Sequence, residues 1–279
     1  MRRRVRELAS YREVLLNLVR KELKVKYTAS VLGAVWSLLN PVVFLAVFSF
    51  VVYVTRNRMP HFPVYLLSGL LGWSLFSNCL LLGSRSVVDN ASLVKKVYFP
   101  REILPLASIG VTLVDFVLQS GVLLLFMVVT GYNVHLHALW MYPLSIVTLL
   151  VFTLAVTLWV AGMNVRYRDV QHLLNLGLLV WFWMTPIVYQ GALVQEFLTK
   201  NRPDTLWSVY LLNPLATIVF GFQRALYGVV SPGGQHVLPD VSLTWMAGML
   251  LAVLAGSLLL LAFTWRLFFH LSGDFAEEL

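Results

Sequence analysis

Six long apolar runs constrain this chain more than any other feature of its sequence. They occupy residues 31–54, 64–83, 103–129, 139–163, 173–189 and 241–269. An α-helix needs about 20 apolar residues to cross the roughly 30 Å hydrocarbon core of a bilayer. Inside a bilayer every backbone polar group needs an internal partner, and a helix provides one. The sequence therefore predicts an all-α integral membrane protein with six transmembrane helices.

The composition and the charge distribution agree with that topology. Charged residues make up only 12% of the chain, whereas soluble domains carry about 25%. The net charge of +8 could suggest nucleic-acid binding, but 16 of the 21 lysines and arginines fall in segments that the six-span topology places on one side. Because basic residues collect on the cytoplasmic side of membranes, we predict that both termini are cytoplasmic and that the chain does not bind nucleic acid.

Residues 1–30 are basic and contain one amphipathic helical pattern. Its polar face consists of Asn17, Arg20, Lys21 and Lys24, and its apolar face of Val14, Leu15, Leu18 and Val19. This spacing is typical of a helix that lies on the cytoplasmic membrane surface. A helix that binds a partner protein is the alternative, and the two are compatible.

Two inner loops follow from the topology, at residues 84–102 and 164–172. The first is basic and contains an apolar stripe flanked by lysines, which predicts a short cytoplasmic helix that Pro100 ends. The stripe and the lysines are Val94, Lys95, Lys96, Val97 and Tyr98. We interpret this helix as the element on which a soluble partner acts. The alternative is a solvated loop whose lysines only fix the topology.

The outer segment 191–240 contains two apolar runs, 206–212 and 215–230, that are separated by Asn213 and Pro214. Runs of this length do not cross a bilayer comfortably, so we predict two short re-entrant helices between the fifth and sixth spans. A small extracellular cap is the alternative. Residues 270–279 form a cytoplasmic tail that is acidic at its end.

Motifs for catalysis are absent from the sequence. It contains no phosphate-binding G-x-x-x-x-G-K-[ST] loop, no H-E-x-x-H, no C-x-x-C and no G-x-S-x-G. Asp115 and Gln119 lie one helical turn apart in the third span. A carboxylate in a span is costly and is a functional candidate by default; a carboxylate bonded within the bundle, for instance to Gln119, is the alternative. We predict that the chain is not an enzyme and binds no metal.

Six stretches together resemble the membrane subunit (permease) of type-2 ABC exporters, in the branch that exports lipid-linked polysaccharides. They are residues 18–43, 90–107, 164–174, 182–189, 212–226 and 275–279. The resemblance implies a homodimer of permeases with two separate ATPase subunits, which would bind the ATP and the Mg. It also implies a bacterial cytoplasmic (inner) membrane and a substrate such as O-antigen or teichoic acid on a polyprenyl diphosphate carrier.

In that family the inner loops couple the ATPase to the spans. The residues of this chain predicted to do so are Asn90, Leu93, Lys95, Lys96, Tyr98, Arg166, Tyr167, Arg168 and Asp169. A small-molecule or drug exporter of the same architecture is an alternative function. An integral-membrane enzyme that acts on a lipid-linked sugar is another, although the inner loops hold few carboxylates for it.

Aromatic residues concentrate along the first and fifth predicted spans. Aromatic rings can stack on the C–H faces of sugars, so they suit the path of a repeating glycan. The predicted path residues are Trp36, Phe44, Phe48, Tyr53, Trp181, Trp183 and Tyr189. The alternative is that these rings face lipid, pack between helices or belong to the ordinary aromatic belt of a membrane protein.

Overall fold

The computed structural model describes residues 8, 10–28, 33, 35–54, 59, 61–132, 136–200, 205–228 and 236–279. Every regular element in this part of the chain is helical. In chain order the α-helices are α1 (Arg12–Thr28), α2 (Val35–Val54), α3 (Phe62–Asp89), α4 (Ala91–Lys96), α5 (Ile103–Val129), α6 (Met141–Arg166), α7 (Val170–Met184), α8 (Gly191–Thr199), α9 (Thr205–Tyr210), α10 (Pro214–Leu226), α11 (Leu243–Leu271) and α12 (Phe275–Glu278). A short 3-10 helix, Leu136–Ala138, precedes α6.

Within the described residues, five helices are long and apolar enough to cross a membrane: α2, α3, α5, α6 with its preceding turn, and α11. The predicted fifth span differs, because α7 has only 15 residues and is therefore about 22 Å long at 1.5 Å per residue. It ends at Met184 because Thr185, the residue before Pro186, is extended, as proline favours for its predecessor. The six-span count stays a prediction.

The first inner loop is shorter than predicted. Helix α3 continues to Asp89, so the first six residues of the 84–102 segment are helical. Helix α4 ends at Lys96, where Val97 becomes extended, and not at Pro100 as predicted. Of the predicted apolar stripe only Val94 is buried, whereas Val97 and Tyr98 are exposed.

The amphipathic helix α1 packs against the third-span helix α5. Leu18 is buried, and a Cβ added to Gly110 would lie 2.6 Å from a methyl carbon of Val19. Further along both helices Lys26 contacts Asp115. Later residues of α1 meet later residues of α5, so the two helices run in the same direction. The apolar face that was predicted to meet the membrane surface thus has a protein partner.

The core of the bundle is built around α3, with α5, α6 and α10 packed on it. Helix α10 is buried along almost its whole length, although it belongs to the outer segment. Glycines allow its close approach: a Cβ at Gly72 would lie 3.2 Å from the Phe222 ring, and one at Gly221 would lie 2.3 Å from the Ser145 hydroxyl. Small residues at helix contacts are typical of membrane bundles.

The described parts of the outer segment, residues 191–200, 205–228 and 236–240, contain three helices where the sequence predicted two. Helix α8 was not predicted, and α9 and α10 cover most of the two predicted runs. The break between α9 and α10 has a local cause: the Asn213 side chain accepts a hydrogen bond from the Leu215 amide, and Pro214 occupies the first helical position. Whether these helices re-enter a membrane stays a prediction.

Candidate functional site

Asp115 is the centre of a buried polar cluster that joins three helices. Asp115 is only 4% exposed to solvent. The Lys26 ammonium lies 2.5 Å from one carboxylate oxygen, while the Tyr27 hydroxyl (2.6 Å) and the Ser37 hydroxyl (2.9 Å) donate to the other. A buried charge is tolerated when it is paired and hydrogen-bonded. The cluster therefore fastens α1 and the start of α2 to the middle of α5.

Gln119 is not among the hydrogen-bond partners of Asp115. Its amide donates to the backbone carbonyl of Ser37 at 3.0 Å. In a helix that carbonyl would bond to the amide of the residue four positions later, which is Pro41 and has no N–H. Gln119 thus satisfies the carbonyl that Pro41 leaves without its helical partner.

Burial raises the pKa of the Tyr27 phenol, and the hydrogen bond to the Asp115 carboxylate raises it further. The phenol therefore stays protonated at neutral pH and donates to the carboxylate. Tyr27 and Ser37 add two neutral donors to the charge of Lys26, so the carboxylate does not depend on one partner alone.

The predicted coupling residues of the first inner loop lie at one end of the bundle, which we call the inner end. Lys95 and Lys96 are exposed, and Tyr98 is 85% exposed. Asn90 lies between two helices: it accepts from Lys21 of α1 at 3.2 Å and donates to the Ser86 carbonyl at 2.9 Å. Leu93 is partly buried against the inner-end core. The loop therefore presents two lysines and a tyrosine while its base is held by the bundle.

The second inner loop reaches the same end, and the tail binds it. Arg166 donates to Glu278 at 2.8 Å and to Asp274 at 3.2 Å. Tyr167, Arg168 and Asp169 are exposed. The sequence showed an acidic tail but not this contact. The spacing of Asp274 and Glu278 could have indicated it, because one helical turn places residues four positions apart on the same side of a helix.

An apolar contact holds the tail as well. Phe275 is fully buried, and its ring meets Phe268 edge-on at a centroid distance of 5.4 Å. The Arg101 guanidinium lies over the same ring at 5.9 Å. Helix α12 also contacts α4 and α6. The tail therefore connects the two inner loops that the sequence predicted to act together.

The predicted path residues divide into two groups. Phe44 and Phe48 stack at 5.9 Å, and Phe48 meets Trp183 at 6.5 Å. Trp181 instead faces the core, where its indole N–H donates to the Asn213 side chain at 2.8 Å. Two residues apart on a helix, Trp181 and Trp183 point to different sides, so they do not share one wall.

Sequence reasoning missed Phe182, which contacts both Phe44 (5.6 Å) and Trp183 (5.6 Å) and is buried. Tyr189 lies near this group, since its hydroxyl donates to the Trp183 carbonyl at 2.8 Å. Trp36 and Tyr53, at the two ends of α2, are exposed. Their part in a path stays a prediction.

The described residues contain no group of three histidine, cysteine, aspartate or glutamate side chains placed to hold a metal ion. The polar groups that are gathered in this part of the chain form ion pairs and helix contacts. Their arrangement suits mechanical connection between helices and inner loops.

Comparison with known proteins gives a consistent family. A family described as ABC-2 type transporter matches residues 13–227. The O-antigen export system permease protein RfbA of Myxococcus xanthus is 32% identical over 280 residues, which cover 100% of both chains. A protein of the same name from Klebsiella pneumoniae is 28% identical over 247 residues, covering 88% of this chain and 90% of the relative. The chain belongs to the ABC-2 type transporter family of membrane proteins.

Proposed function

We propose that this chain is the permease subunit of an ATP-driven exporter that moves a lipid-linked polysaccharide, such as O-antigen, across the bacterial cytoplasmic membrane. The observation that carries the proposal is the full-length similarity to a protein named as an O-antigen export permease. Members of the ABC-2 family work with an ABC ATPase, which would bind ATP and Mg in a separate subunit. Both termini would face the cytoplasm.

The active assembly would contain two copies of the permease and two ATPase subunits. The inner end of the bundle offers the surface for the ATPase, because it presents Lys95, Lys96 and Tyr98 on a base that the bundle holds firmly. Helix α1 lies beside that surface through the contact of Lys21 with Asn90. A movement of α4 or α1 that the ATPase causes would be transmitted to α5 through the Asp115 cluster.

The path for the glycan would run along the aromatic group of Phe44, Phe48 and Trp183. These rings lie on α2 and α7, and Trp183 is exposed on the surface of the single chain. In a homodimer that surface can face the second copy and enclose a channel. Trp181 belongs to the core, so its replacement would affect folding rather than transport.

A deletion strain tests the proposal. Loss of the gene should remove the polymer from the cell surface and leave the lipid-linked polymer inside, and the wild-type gene should restore export.

A Lys95→Glu, Lys96→Glu variant should be inserted in normal amount but fail to restore export. Normal surface polymer in the deletion strain, or turnover of a lipid-linked sugar by the purified chain alone, would reject the permease function.

A further inference from the structure

A cavity of about 380 Å³, whose wall combines apolar and polar side chains, lies beside Asp115 at the place where α1, α2, α3 and α5 meet. That volume is within the range of small-ligand sites in proteins. The polar groups on its wall that matter here are Asn40 and Ser37 of α2, Asn78 and Ser74 of α3, and Asp115 and Gln119 of α5. None of the mechanical contacts described above uses the two asparagines.

Asn40 and Asn78 are exposed, and neither carboxamide side chain makes a hydrogen bond within the part of the chain that the structure describes. Each carboxamide offers two donors and an oxygen with two lone pairs. Asn78 lies well inside the helix that runs from Phe62 to Asp89. Polar side chains at such a depth face a water-filled cavity or a polar partner. Two uncommitted carboxamides on one cavity wall therefore point to a hydrogen-bonding occupant.

The charges around the cavity restrict that occupant. Lys26 pairs with Asp115, and Glu22 pairs with Lys21 at 3.5 Å. Among the described lining residues, Lys26 is the sole cation, and it is committed to the carboxylate. A diphosphate needs free lysine or arginine donors, which this wall does not offer. The occupant should be uncharged and rich in hydroxyl groups.

Trp36 adds an aromatic surface to the same wall and is 53% exposed. The electron-rich face of an indole attracts the weakly positive C–H groups on the flat face of a sugar ring. An indole face next to free carboxamides combines stacking with adaptable hydrogen bonding. This combination suits a sugar better than a lipid chain, which would leave both carboxamides unsatisfied.

We propose that this cavity binds uncharged sugar units of the exported glycan, with Trp36 as the stacking surface and Asn40 and Asn78 as the hydrogen-bonding groups. The inference rests on the proposed function and adds a location to it. The charged diphosphate would be held elsewhere. Lys26 and Glu22 of α1 also line the cavity, so the site includes the helix that lies beside the proposed ATPase surface.

Photo-crosslinking in the assembled transporter tests the site. The probe is p-benzoyl-phenylalanine, introduced in place of Leu82, which lines the cavity without being one of the hydrogen-bonding groups, or in place of Asn78. A third variant carries it in place of Phe48 on the predicted path. Complexes irradiated in cells that synthesise the polymer should carry a polymer adduct at all three positions, and cells unable to synthesise it should give none.

An adduct at position 48 with none at positions 82 and 78 would overturn the cavity site and leave the proposed function standing. A crosslink from position 82 or 78 to a second permease copy, without polymer, would show that a protein surface covers the cavity and would also overturn it. Adducts at no position, together with normal surface polymer after deletion of the gene, would reject the proposed function itself.

A double variant, Asn40→Leu with Asn78→Leu, provides a second test. Export per assembled complex should fall about 2- to 10-fold, as expected for lost hydrogen bonds. The matched control is Asn175→Leu, because Asn175 is exposed on α7 and, among the described residues, its side chain bonds to nothing but the Gln171 carbonyl of its own helix. Equal export by the double variant and the control would contradict the proposal.

Discussion

Two ion-paired regions attach peripheral segments to this bundle, and they differ in burial. The Lys26–Asp115 pair ties α1 to α5, and the carboxylate is almost fully buried. The Arg166 pairs tie the tail to α6, and all three side chains are at least partly exposed. Removal of Lys26 would leave an almost fully buried carboxylate without its cation, whereas an exposed pair contributes little to stability. The first pair therefore contributes strongly to the attachment of α1, whereas the second contributes little to the attachment of the tail.

Lys26→Met is expected to have the largest effect. It leaves the buried Asp115 carboxylate with only the Tyr27 and Ser37 donors, which should lower the free energy of unfolding by roughly 3 kcal/mol, the lower end for a buried pair, because the Lys26 side chain is itself 39% exposed. The thermal stability of the purified complex measures this. Adding Asp115→Asn to Lys26→Met should restore much of the loss, because no buried charge then remains. Equal stability of Lys26→Met and wild type would mean that the pair does not hold α1.

Phe275→Ala tests whether packing, rather than charge, holds the tail. Removal of a buried aromatic side chain costs about 3 kcal/mol or more, and here the loss should appear as release of the tail. Protease cleavage after residue 271 and amide hydrogen exchange in α12 should both increase. The matched control is Phe269→Ala on the same end of α11, since that ring is exposed. Similar protection in both variants would assign the tail's attachment to its ion pairs.

Gln119→Leu should cost about 1 kcal/mol, the contribution of one hydrogen bond, because the Ser37 carbonyl loses its donor. Pro41→Ala supplies a backbone N–H to that carbonyl. In the Pro41→Ala background, Gln119→Leu should therefore have much less effect on thermal stability. An unchanged penalty in that background would show that Gln119 acts through another contact.

Arg166→Gln should have the smallest effect on stability, because solvent and salt screen an exposed ion pair. Raising the ionic strength to 1 M shortens the screening length to about 3 Å, so the difference between Arg166→Gln and wild type should vanish at high salt. For the Lys26 variant, in contrast, the difference should persist. A large and salt-independent loss in Arg166→Gln would remove the distinction between the two regions.

The parts of the fold that the sequence predicted depend on local patterns. Apolar runs located the five long helices, and the amphipathic spacing located α1. The end of α7 was harder to predict, because the apolar pattern continues through Pro186 to Tyr189 whereas the helix ends at Met184. The third outer helix, Gly191–Thr199, was missed because its run is short and contains polar residues.

The contacts of the candidate site could not be predicted, because they join residues far apart in the chain. Tyr27 and Lys26 are separated from Asp115 by 88 and 89 positions, and Arg166 from Glu278 by 112. The sequence showed a carboxylate inside a span and an acidic tail, but neither pattern names its partner. The side toward which Trp181 and Trp183 point also depends on packing, since both are equally apolar in the sequence.

Transport in inverted membrane vesicles tests the central claim most directly. Vesicles that contain the permease and its ATPase are given radiolabelled lipid-linked polysaccharide on the outer, formerly cytoplasmic, face. The account predicts that ATP drives the label into the lumen, that a permease without the ATPase does not, and that Lys26→Met at equal assembly slows the transfer. ATP-independent transfer, or no transfer of the polysaccharide by the complete assembly, would contradict the account.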